Sequence, residues 1–290
     1  MFELILIDFS WLYNKYYYVT KSIVDGKNVL PEQKGEEIYN TLLRMLSQFL
    51  GLVKEKCFAS KIVLVLDSPT SSLKTSVEYD GYKQNRNKEE KKEVYKCLRD
   101  VVGALAEDER LIFLRAYGYE ADQVIACLAE KYCENQAVLI YSGDKDLLQL
   151  TYHKRIKVSD KFEKGHFILK TDDEIFGKFK NSKGEDFRRI SNNKRDILKY
   201  RVLKGDPSDN LGPVFPRIKD KEIVSIVKEY WIDNEEFSPE RGYKILEDIK
   251  GDNPKLAEKL EENMDNWVRN YSYMNLHGLN VEGIKRVKRH

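Results

Sequence analysis

Three short runs of consecutive apolar residues mark the strands of a predicted sheet. They cover residues 2–7 (FELILI), 61–66 (KIVLVL) and 137–141 (AVLIY), and an aspartate follows each run within three residues. Continuous apolar runs of this length are typical of parallel strands that are buried on both faces. Two further strand-like runs, at 155–158 and 166–169, come later in the chain.

Apolar positions at helical spacing lie between these runs. Residues 36–57 and 121–133 each carry such a stripe, and the pattern becomes helical from residue 194 onward. Strands that alternate with helices favour a mainly parallel sheet covered by helices on its faces. The predicted class is therefore α/β, with a mainly parallel central sheet flanked by helices.

The chain divides into a predicted core and a predicted appendage. Its 290 residues, of which 41% are hydrophobic, are enough to bury a sizeable core. We expect an α/β core over residues 1–193, with an insertion at about 68–110 that begins with Ser, Thr and Pro and contains helix. Residues 194–290 are expected to form a helical region of short helices.

Charge is segregated along the chain although the net charge is only +2. Residues 82–99 hold seven Lys or Arg against three Glu, and residues 178–204 hold ten basic residues against three acids. Each segment is either the solvated face of a helix or a surface that binds a polyanion. Basic segments beside an acidic cluster favour a nucleic-acid footprint, because they can grip phosphates.

Cysteine and histidine usage argues against several classes of site. The four cysteines form no C-x-x-C pair and the four histidines share no motif, so structural zinc and covalent or histidine-driven catalysis are disfavoured. Reduced thiols fit an intracellular protein. Since no basic leader precedes the first apolar run and no run approaches the length of a membrane span, we expect a cytoplasmic protein without a membrane partner.

Eight acidic residues recur where predicted strands end or helices begin. Converging carboxylates repel one another, so they persist together only when protonated or when cations neutralise them. An oxygen-only ligand set suits Mg²⁺ or Mn²⁺ rather than zinc. Because ligands of open α/β sheets gather beyond the carboxyl ends of the strands, these acids predict a two-metal phosphoryl-transfer site. They are Asp8, Asp67, Glu120, Asp122, Asp144, Asp146, Asp206 and Asp209.

Each local acidic motif also has a purely structural interpretation. Residues 142–146 (SGDKD) place two aspartates in a turn, and aspartate commonly caps helices. In residues 205–210 (GDPSDN), Asp206 fits a helix N-cap and Asp209 lies one turn on. Glu120 and Asp122 suit a first helical turn, where ideal geometry would splay them apart. To act together with Asp122, Glu120 must either precede the regular helix or reach with its side chain.

The ordered set of motifs resembles the flap endonuclease superfamily of 5′-nucleases, and most closely its phage branch, bacteriophage ribonuclease H. The resemblance implies a core of the PIN/SAF type, a helical arch over the site and a C-terminal helical region that binds duplex DNA. The matching stretches are LIDFS (6–10), KIVLVLD (61–67), YKQNR (82–86), YEADQVIA (119–126), SGDKDLLQL (142–150) and LKGDPSDN (203–210).

The resemblance also assigns roles to particular residues. It implies that Asp67, Glu120 and Asp144 hold one Mg²⁺ with Asp8 nearby, and that Lys83 and Arg86 at the arch base steady the scissile phosphate. Mn²⁺ can substitute for Mg²⁺. One metal would lower the pKa of a water, and the other would stabilise the leaving 3′ oxygen. The acids that shape the second metal site would be Asp146, Asp206 and Asp209.

Two departures from the family pattern affect these expectations. Gln123 stands where many relatives have a second aspartate, which predicts a weaker outer shell at one metal. The stretch 211–220 lacks the Gly-x-Gly of the family's hairpin, so a potassium-assisted backbone clamp is not expected. Side chains would hold the duplex instead, and Tyr82 would stack on a base. The candidate duplex-binding side chains are Arg217, Lys219 and Lys221.

The leading hypothesis is a monomeric, Mg²⁺-dependent 5′-3′ exonuclease and flap endonuclease that removes RNA primers and 5′ flaps in DNA replication or repair. Its substrate would be duplex DNA with a 5′ flap or RNA primer, with a single-stranded-DNA-binding protein or a sliding clamp as further partner. A PIN-like ribonuclease on single-stranded RNA and a catalytically weakened DNA-junction-binding protein are the alternatives. The PIN-like ribonuclease would have fewer acidic residues and no duplex-binding tail. The junction-binding alternative is suggested by Gln123 and by the altered hairpin sequence at 211–220.

Overall fold

The computed structural model describes residues 2–27, 29–58, 60–69, 88–179, 191, 193–232 and 237–287, with side chains at 88–93 left out. Within these ranges no helix is both long enough and apolar enough to cross a lipid bilayer. The chain forms two compact units. Unit 1 contains the described residues of Met1–Thr75, Arg86–Lys170 and His277–His290, and unit 2 contains those of Thr171–Leu276.

Unit 1 is built on a seven-stranded sheet. Its order is β6-β5-β4-β1-β2-β3-β7. The five inner strands pair in parallel, and β6 and β7 are antiparallel edge strands. The mainly parallel α/β sheet predicted from the sequence is therefore confirmed. The strands are β1 (Leu4–Asp8), β2 (Lys61–Val65), β3 (Ile112–Ala116), β4 (Val138–Tyr141), β5 (Ile156–Glu163), β6 (His166–Leu169) and β7 (Ile284–Arg286).

Four helices of unit 1 are described: α1 (Phe9–Asp25), α2 (Lys34–Lys56), α3 (Lys88–Leu105) and α4 (Ala121–Cys133). The strands β1, β2 and β4 are almost entirely buried, as their unbroken apolar runs predict. Helices α1, α2 and α3 contribute apolar side chains to one core with the sheet. Its aromatic contacts include Phe49 stacked on Tyr141, with ring centroids 5.4 Å apart.

Three elements of unit 1 were not foreseen. Helix α1 begins with FSWLYNKYYYV, whose aromatic residues have low helix propensity, and only burial against the sheet reveals it. Strand β3 reads IFLRA and has a mixed burial pattern. Strand β7 lies within the segment expected to be helical and pairs with β3, with Arg115 opposite Lys285. Of the insertion predicted at 68–110, residues 70–87 lie outside the described ranges, and α3 accounts for its helix.

Unit 2 is helical, as predicted from residue 194 onward. Buried aromatic rings form its core, with Phe237 stacked on Trp267 at 4.7 Å and Trp231 edge-on to Trp267 at 5.6 Å. Buried Asn270 donates hydrogen bonds of 2.9 Å to the carbonyl oxygens of Val202 and Gly212. The helices are α5 (Asp172–Phe176), α6 (Asp196–Lys204), α7 (Asp220–Ser225), α8 (Pro239–Asp252), α9 (Pro254–Glu261) and α10 (Met264–Met274).

Gly205, which ends α6, should be irreplaceable even by alanine. Its φ of 78° and ψ of 175° define a conformation that essentially only glycine adopts. A Cβ atom there would lie 2.4 Å from the carbonyl group of Gly212. We expect Gly205→Ala to lower the free energy of unfolding by about 3 kcal/mol, measured by urea denaturation.

Gly212→Ala is the matched control, because a Cβ atom at Gly212 would meet nothing within 4 Å. Its free energy of unfolding should stay close to that of the wild type. Equal losses in the two variants would contradict the strain that we assign to Gly205.

Candidate metal centre

The strands of unit 1 bring their carboxyl ends, and the acids that follow them, to one edge of the sheet. Asp8 is the last residue of β1 and lies opposite Val65 of β2 in the parallel register. On the other side of β1, Ile7 lies opposite Tyr141 of β4. Asp67 and Asp144 follow β2 and β4 by two and three residues. The structure therefore places Asp8, Asp67 and Asp144 at or just beyond the carboxyl ends of neighbouring strands.

Asp8 is the most enclosed of these acids. It is 5% exposed and caps the N-terminus of α1, with its Oδ1 accepting a hydrogen bond of 2.9 Å from the backbone N–H of Trp11. Its Oδ2 accepts a hydrogen bond of 2.8 Å from the hydroxyl of Ser142. Both carboxylate oxygens are therefore fixed in direction.

The carboxylates of unit 1 act on one another. Burial, helped by the charges of Asp67 and Asp144, raises the pKa of Asp8 to about 7, even though the hydrogen bonds from Trp11 and Ser142 lower it. A carboxyl group with such a pKa is close to half protonated at neutral pH. A divalent cation at this edge would remove the repulsion and favour the ionised form, because it adds opposite charge within reach.

Backbone and hydroxyl groups lock Asp67 against the start of α4. Its N–H donates to the Ser10 hydroxyl over 2.9 Å, and its Oδ1 accepts a hydrogen bond of 2.8 Å from the N–H of Ala121. The next residue, Ser68, is buried and accepts a hydrogen bond of 3.2 Å from Gly118 N–H. These contacts bring the loop that contains Glu120 to the end of β2.

Glu120 immediately precedes α4 and is its N-cap residue. Its N–H donates a hydrogen bond of 3.0 Å to Oε1 of Gln123. Asp122 lies in the first helical turn, and its Oδ1 accepts a hydrogen bond of 2.7 Å from the N–H of Gln123. Gln123 therefore has a capping role of its own.

Ser142 connects Asp8 to the acidic turn after β4. It is fully buried, and its hydroxyl accepts a hydrogen bond of 3.0 Å from the N–H of Asp144 while donating to Asp8. The Asp144 carboxylate accepts a hydrogen bond of 2.8 Å from the N–H of Asp146, which begins the 3₁₀ helix Asp146–Tyr152. Ser142 lies inside the SGDKD motif, but its bond to Asp8 joins residues 134 positions apart and could not be foreseen from the motif.

In unit 2, Asp206 is the predicted N-cap, and it caps the single 3₁₀ turn Pro207–Asp209. Its Oδ1 accepts hydrogen bonds from the N–H and hydroxyl of Ser208 at 3.0 and 2.6 Å. Its Oδ2 forms a buried ion pair of 2.8 Å with Arg201, a partner that the sequence analysis missed. The charge of Asp206 is thus already balanced by Arg201 within unit 2. Asp209, at the end of the same turn, is half-buried.

The predicted DNA-binding residues divide into two groups. Arg217, Lys219 and Lys221 have exposed side chains around the start of α7, where their charges are accessible to phosphate groups. Arg217 has a φ of 61°, so the backbone turns sharply before the helix. Tyr82, Lys83 and Arg86 lie outside the described residues.

Stability should report the electrostatic state of Asp8. In metal-free buffer, the folded chain favours protonated Asp8, because its pKa is about 7 against an ordinary value of 3.8 for aspartate. Protonation of Asp8 therefore stabilises the folded state. This stabilisation is fully present below pH 3.8 and is lost as the pH rises through 7. The free energy of unfolding of Asp8→Asn should therefore increase relative to that of the wild type as the pH rises from about 4 to about 8. The total increase should be about 1.4 kcal/mol for each unit by which the pKa of Asp8 is raised.

The measurement is urea unfolding in EDTA at several pH values, with the exposed Asp248→Asn as the control variant. Asp248→Asn should follow the wild type across the range. A difference between Asp8→Asn and the wild type that is constant with pH would contradict the crowding of carboxylates at this edge.

Comparison with known proteins agrees with this architecture. A 5′-3′ exonuclease of Aquifex aeolicus is 29% identical over 192 residues, covering 66% of this chain and 60% of the Aquifex protein. The thermostable DNA polymerase I of Thermus thermophilus is 28% identical over 207 residues, covering 70% of this chain and 21% of the polymerase. This chain thus spans less than two thirds of the length of either relative.

The fold also resembles that of a solved structure. The crystal structure of the T5 D15 protein, co-crystallised with metal ions, superposes with a TM-score of 0.63 at 14% identity and covers 94% of this chain and 89% of the T5 D15 protein. Residues 3–180 match the family model described as the 5′-3′ exonuclease, N-terminal resolvase-like domain. Since that match covers more than half of the sequence, the chain belongs to the 5′-3′ exonuclease family.

Proposed function

We propose that this protein is a divalent-metal-dependent 5′-nuclease that hydrolyses phosphodiester bonds at the 5′ ends of DNA strands. The observation that carries the proposal is the mutual electrostatic influence of Asp8, Asp67 and Asp144 at the carboxyl edge of the sheet. A purely structural role would not require three carboxylates to crowd together. Membership of the 5′-3′ exonuclease family supports the same conclusion.

The residues at this edge fit a hard divalent cation. The donors are carboxylate oxygens, which suit Mg²⁺, with Mn²⁺ as a substitute. The chemistry that two such ions supply when bound is activation of a water molecule and stabilisation of the leaving oxygen. Metal ions are present with the related T5 D15 protein, which supports the assignment without fixing the metal used here.

The roles that we propose for the acids follow their positions. Asp67, Glu120 and Asp144 would hold the first ion, and buried Asp8 would stabilise the same centre through its negative charge. Ser142 would keep Asp8 and Asp144 aligned by bonding both. Asp122 would contribute from the first turn of α4. The acids proposed for the second ion are Asp146, Asp206 and Asp209.

Basic side chains would bind the substrate. We propose that Lys83 and Arg86 compensate charge on the scissile phosphate and that Tyr82 stacks on a base. The exposed Arg217, Lys219 and Lys221 would contact the duplex backbone as part of the DNA-binding region 194–290. The proposed substrates are duplexes with a 5′ flap or an RNA primer, such as arise in replication and repair.

One observation favours a second candidate function, a DNA-junction-binding protein with weak catalysis. Arg201 already balances the charge of Asp206, so that carboxylate does not need a metal ion for neutralisation. Gln123 likewise supplies no charge beside Asp122. This candidate predicts tight binding of flap DNA with little cleavage.

A cleavage assay separates these functions. The protein is incubated with a 5′-labelled flap duplex, an RNA-primed duplex and free single-stranded RNA, with Mg²⁺ or EDTA. We expect Mg²⁺-dependent release of short 5′ products from both duplexes. Asp67→Asn should cut about 100-fold more slowly, because it removes charge from the proposed metal centre.

Asp248→Asn is again the control, because this exposed acid on α8 lies outside the proposed site, and its rate should match the wild type. Tight binding of the flap duplex without cleavage in Mg²⁺ or Mn²⁺ would support the junction-binding function. Preferential cutting of free RNA would overturn the proposed specificity.

A further inference from the structure

Unit 1 contains a cavity of about 560 Å³ beside the proposed metal centre. Its apolar wall comprises Leu98, Val102 and Ala106 of α3 together with Val287, which follows β7. Asp67 and Arg115 are among the polar residues that line it. A volume of this size lies within the range of small-molecule sites in proteins, which also combine apolar walls with a few polar groups.

Arg115 on β3 gives the cavity a cationic donor without an acceptor. Its Nε atom is buried and has no hydrogen-bond partner among the residues that the structure describes. Leaving a buried donor unpaired is costly, and the cost is larger for a charged group. An anionic group in the cavity would supply opposite charge to the Arg115 side chain, which lines it, and would favour its charged form.

The other charged groups that line the cavity leave Arg115 as its main cation. Arg99 and Asp100 are neighbours on α3, both are exposed, and they pair with each other over 3.3 Å. Asp67 interacts electrostatically with Arg115. When Asp67 is neutralised by a divalent ion, as the proposed function requires, the cavity has a net positive charge that suits an anion.

The aromatic side of the cavity suits a planar ring. Tyr95, on α3, lines the cavity and has 46% of its surface exposed. Aromatic side chains stack on nucleobases without regard to sequence, and the apolar wall would cover the other parts of a base. An apolar wall, an exposed aromatic ring and a buried arginine together match a base, a sugar and a phosphate.

We propose that this cavity binds a nucleoside 5′-monophosphate, with its phosphate at Arg115 and its base against Tyr95 and the apolar wall. The unit bound is either the free mononucleotide that a 5′-nuclease releases or the 5′-terminal nucleotide of a strand. The assignment of the ligand rests on the proposed function. The volume and the lining residues of the cavity do not depend on that function.

Calorimetric titration tests the proposal. The wild-type protein is titrated in Mg²⁺ with dAMP, which contains no phosphodiester bond to cut, and with deoxyadenosine as the ligand without phosphate. We expect saturable binding of dAMP, and binding of deoxyadenosine that is weaker by about tenfold or more, the loss expected for a charge-assisted hydrogen bond. Arg115→Leu should reduce dAMP binding by a similar factor and leave deoxyadenosine binding nearly unchanged.

A second variant blocks the cavity without disturbing the fold. Gly103 lines the cavity within α3, and a Cβ atom there would meet nothing within 4 Å, so Gly103→Leu should fill the space. Gly51→Leu on α2 is the matched control, because its Cβ atom would also meet nothing within 4 Å and it does not line the cavity. Both variants should gain helix propensity, but only Gly103→Leu should abolish dAMP binding.

Further titrations identify the source of the nucleotide. Equal binding of dAMP and of a 5′-phosphorylated oligonucleotide with non-hydrolysable linkages, with both lost in Gly103→Leu, would assign the cavity to a strand terminus. Loss of dAMP binding alone would assign it to the released mononucleotide. Either result supports the proposal.

Absence of saturable dAMP binding would overturn the proposal, as would wild-type affinity in Gly103→Leu. The cleavage assay is run on the same preparations. If cleavage fails while dAMP binding persists and depends on Arg115, the proposed function is contradicted and the cavity stands. If cleavage persists without dAMP binding, only the cavity assignment fails.

Discussion

Repulsion among carboxylates at the carboxyl edge of a parallel sheet is the constraint on which this structure depends. Asp8 ends the central strand β1, and the charges of Asp67 and Asp144 act on it within a buried environment. In water these groups would be ionised and apart. The sheet register holds them near one another, and the resulting electrostatic cost is offset only by protons or by cations.

The scaffold around these acids consists of groups that fix direction rather than charge. Hydroxyls of Ser10 and Ser142 and the N–H of Ala121 hold Asp67 and Asp8 at hydrogen-bond distances of 2.8 to 2.9 Å. None of these partners supplies a positive charge. The proposed metal centre would use this arrangement, because neutral groups fix the directions of the carboxylates without replacing an ion.

The sequence predicted those parts of the fold that depend on local periodicity. Unbroken apolar runs identified β1, β2 and β4, and helical spacing identified α2 and α4. Helix α1 and strand β7 were missed because their identity depends on packing against distant residues and not on their own propensities. Strand β3 was missed because Arg115 interrupts its apolar pattern.

In the candidate site, too, the sequence revealed local features but not contacts between distant residues. Acidic residues at strand ends could be named because residue type and position are visible in a sequence. Their partners could not, since Ser142 bonds Asp8 from 134 residues away and the Arg201–Asp206 pair needs the turn after α6. The roles of Lys83 and Arg86 are proposals that rest on the family resemblance.

Anomalous diffraction from crystals grown with Mn²⁺ would test the central claim most directly, because it locates the ion without relying on activity. The account predicts an anomalous peak within about 2.5 Å of carboxylate oxygens of Asp67 and Asp144, close to Asp8. It also predicts that the peak disappears in Asp67→Asn. A saturating concentration of Mn²⁺ that leaves this edge of the sheet without a peak would contradict the account.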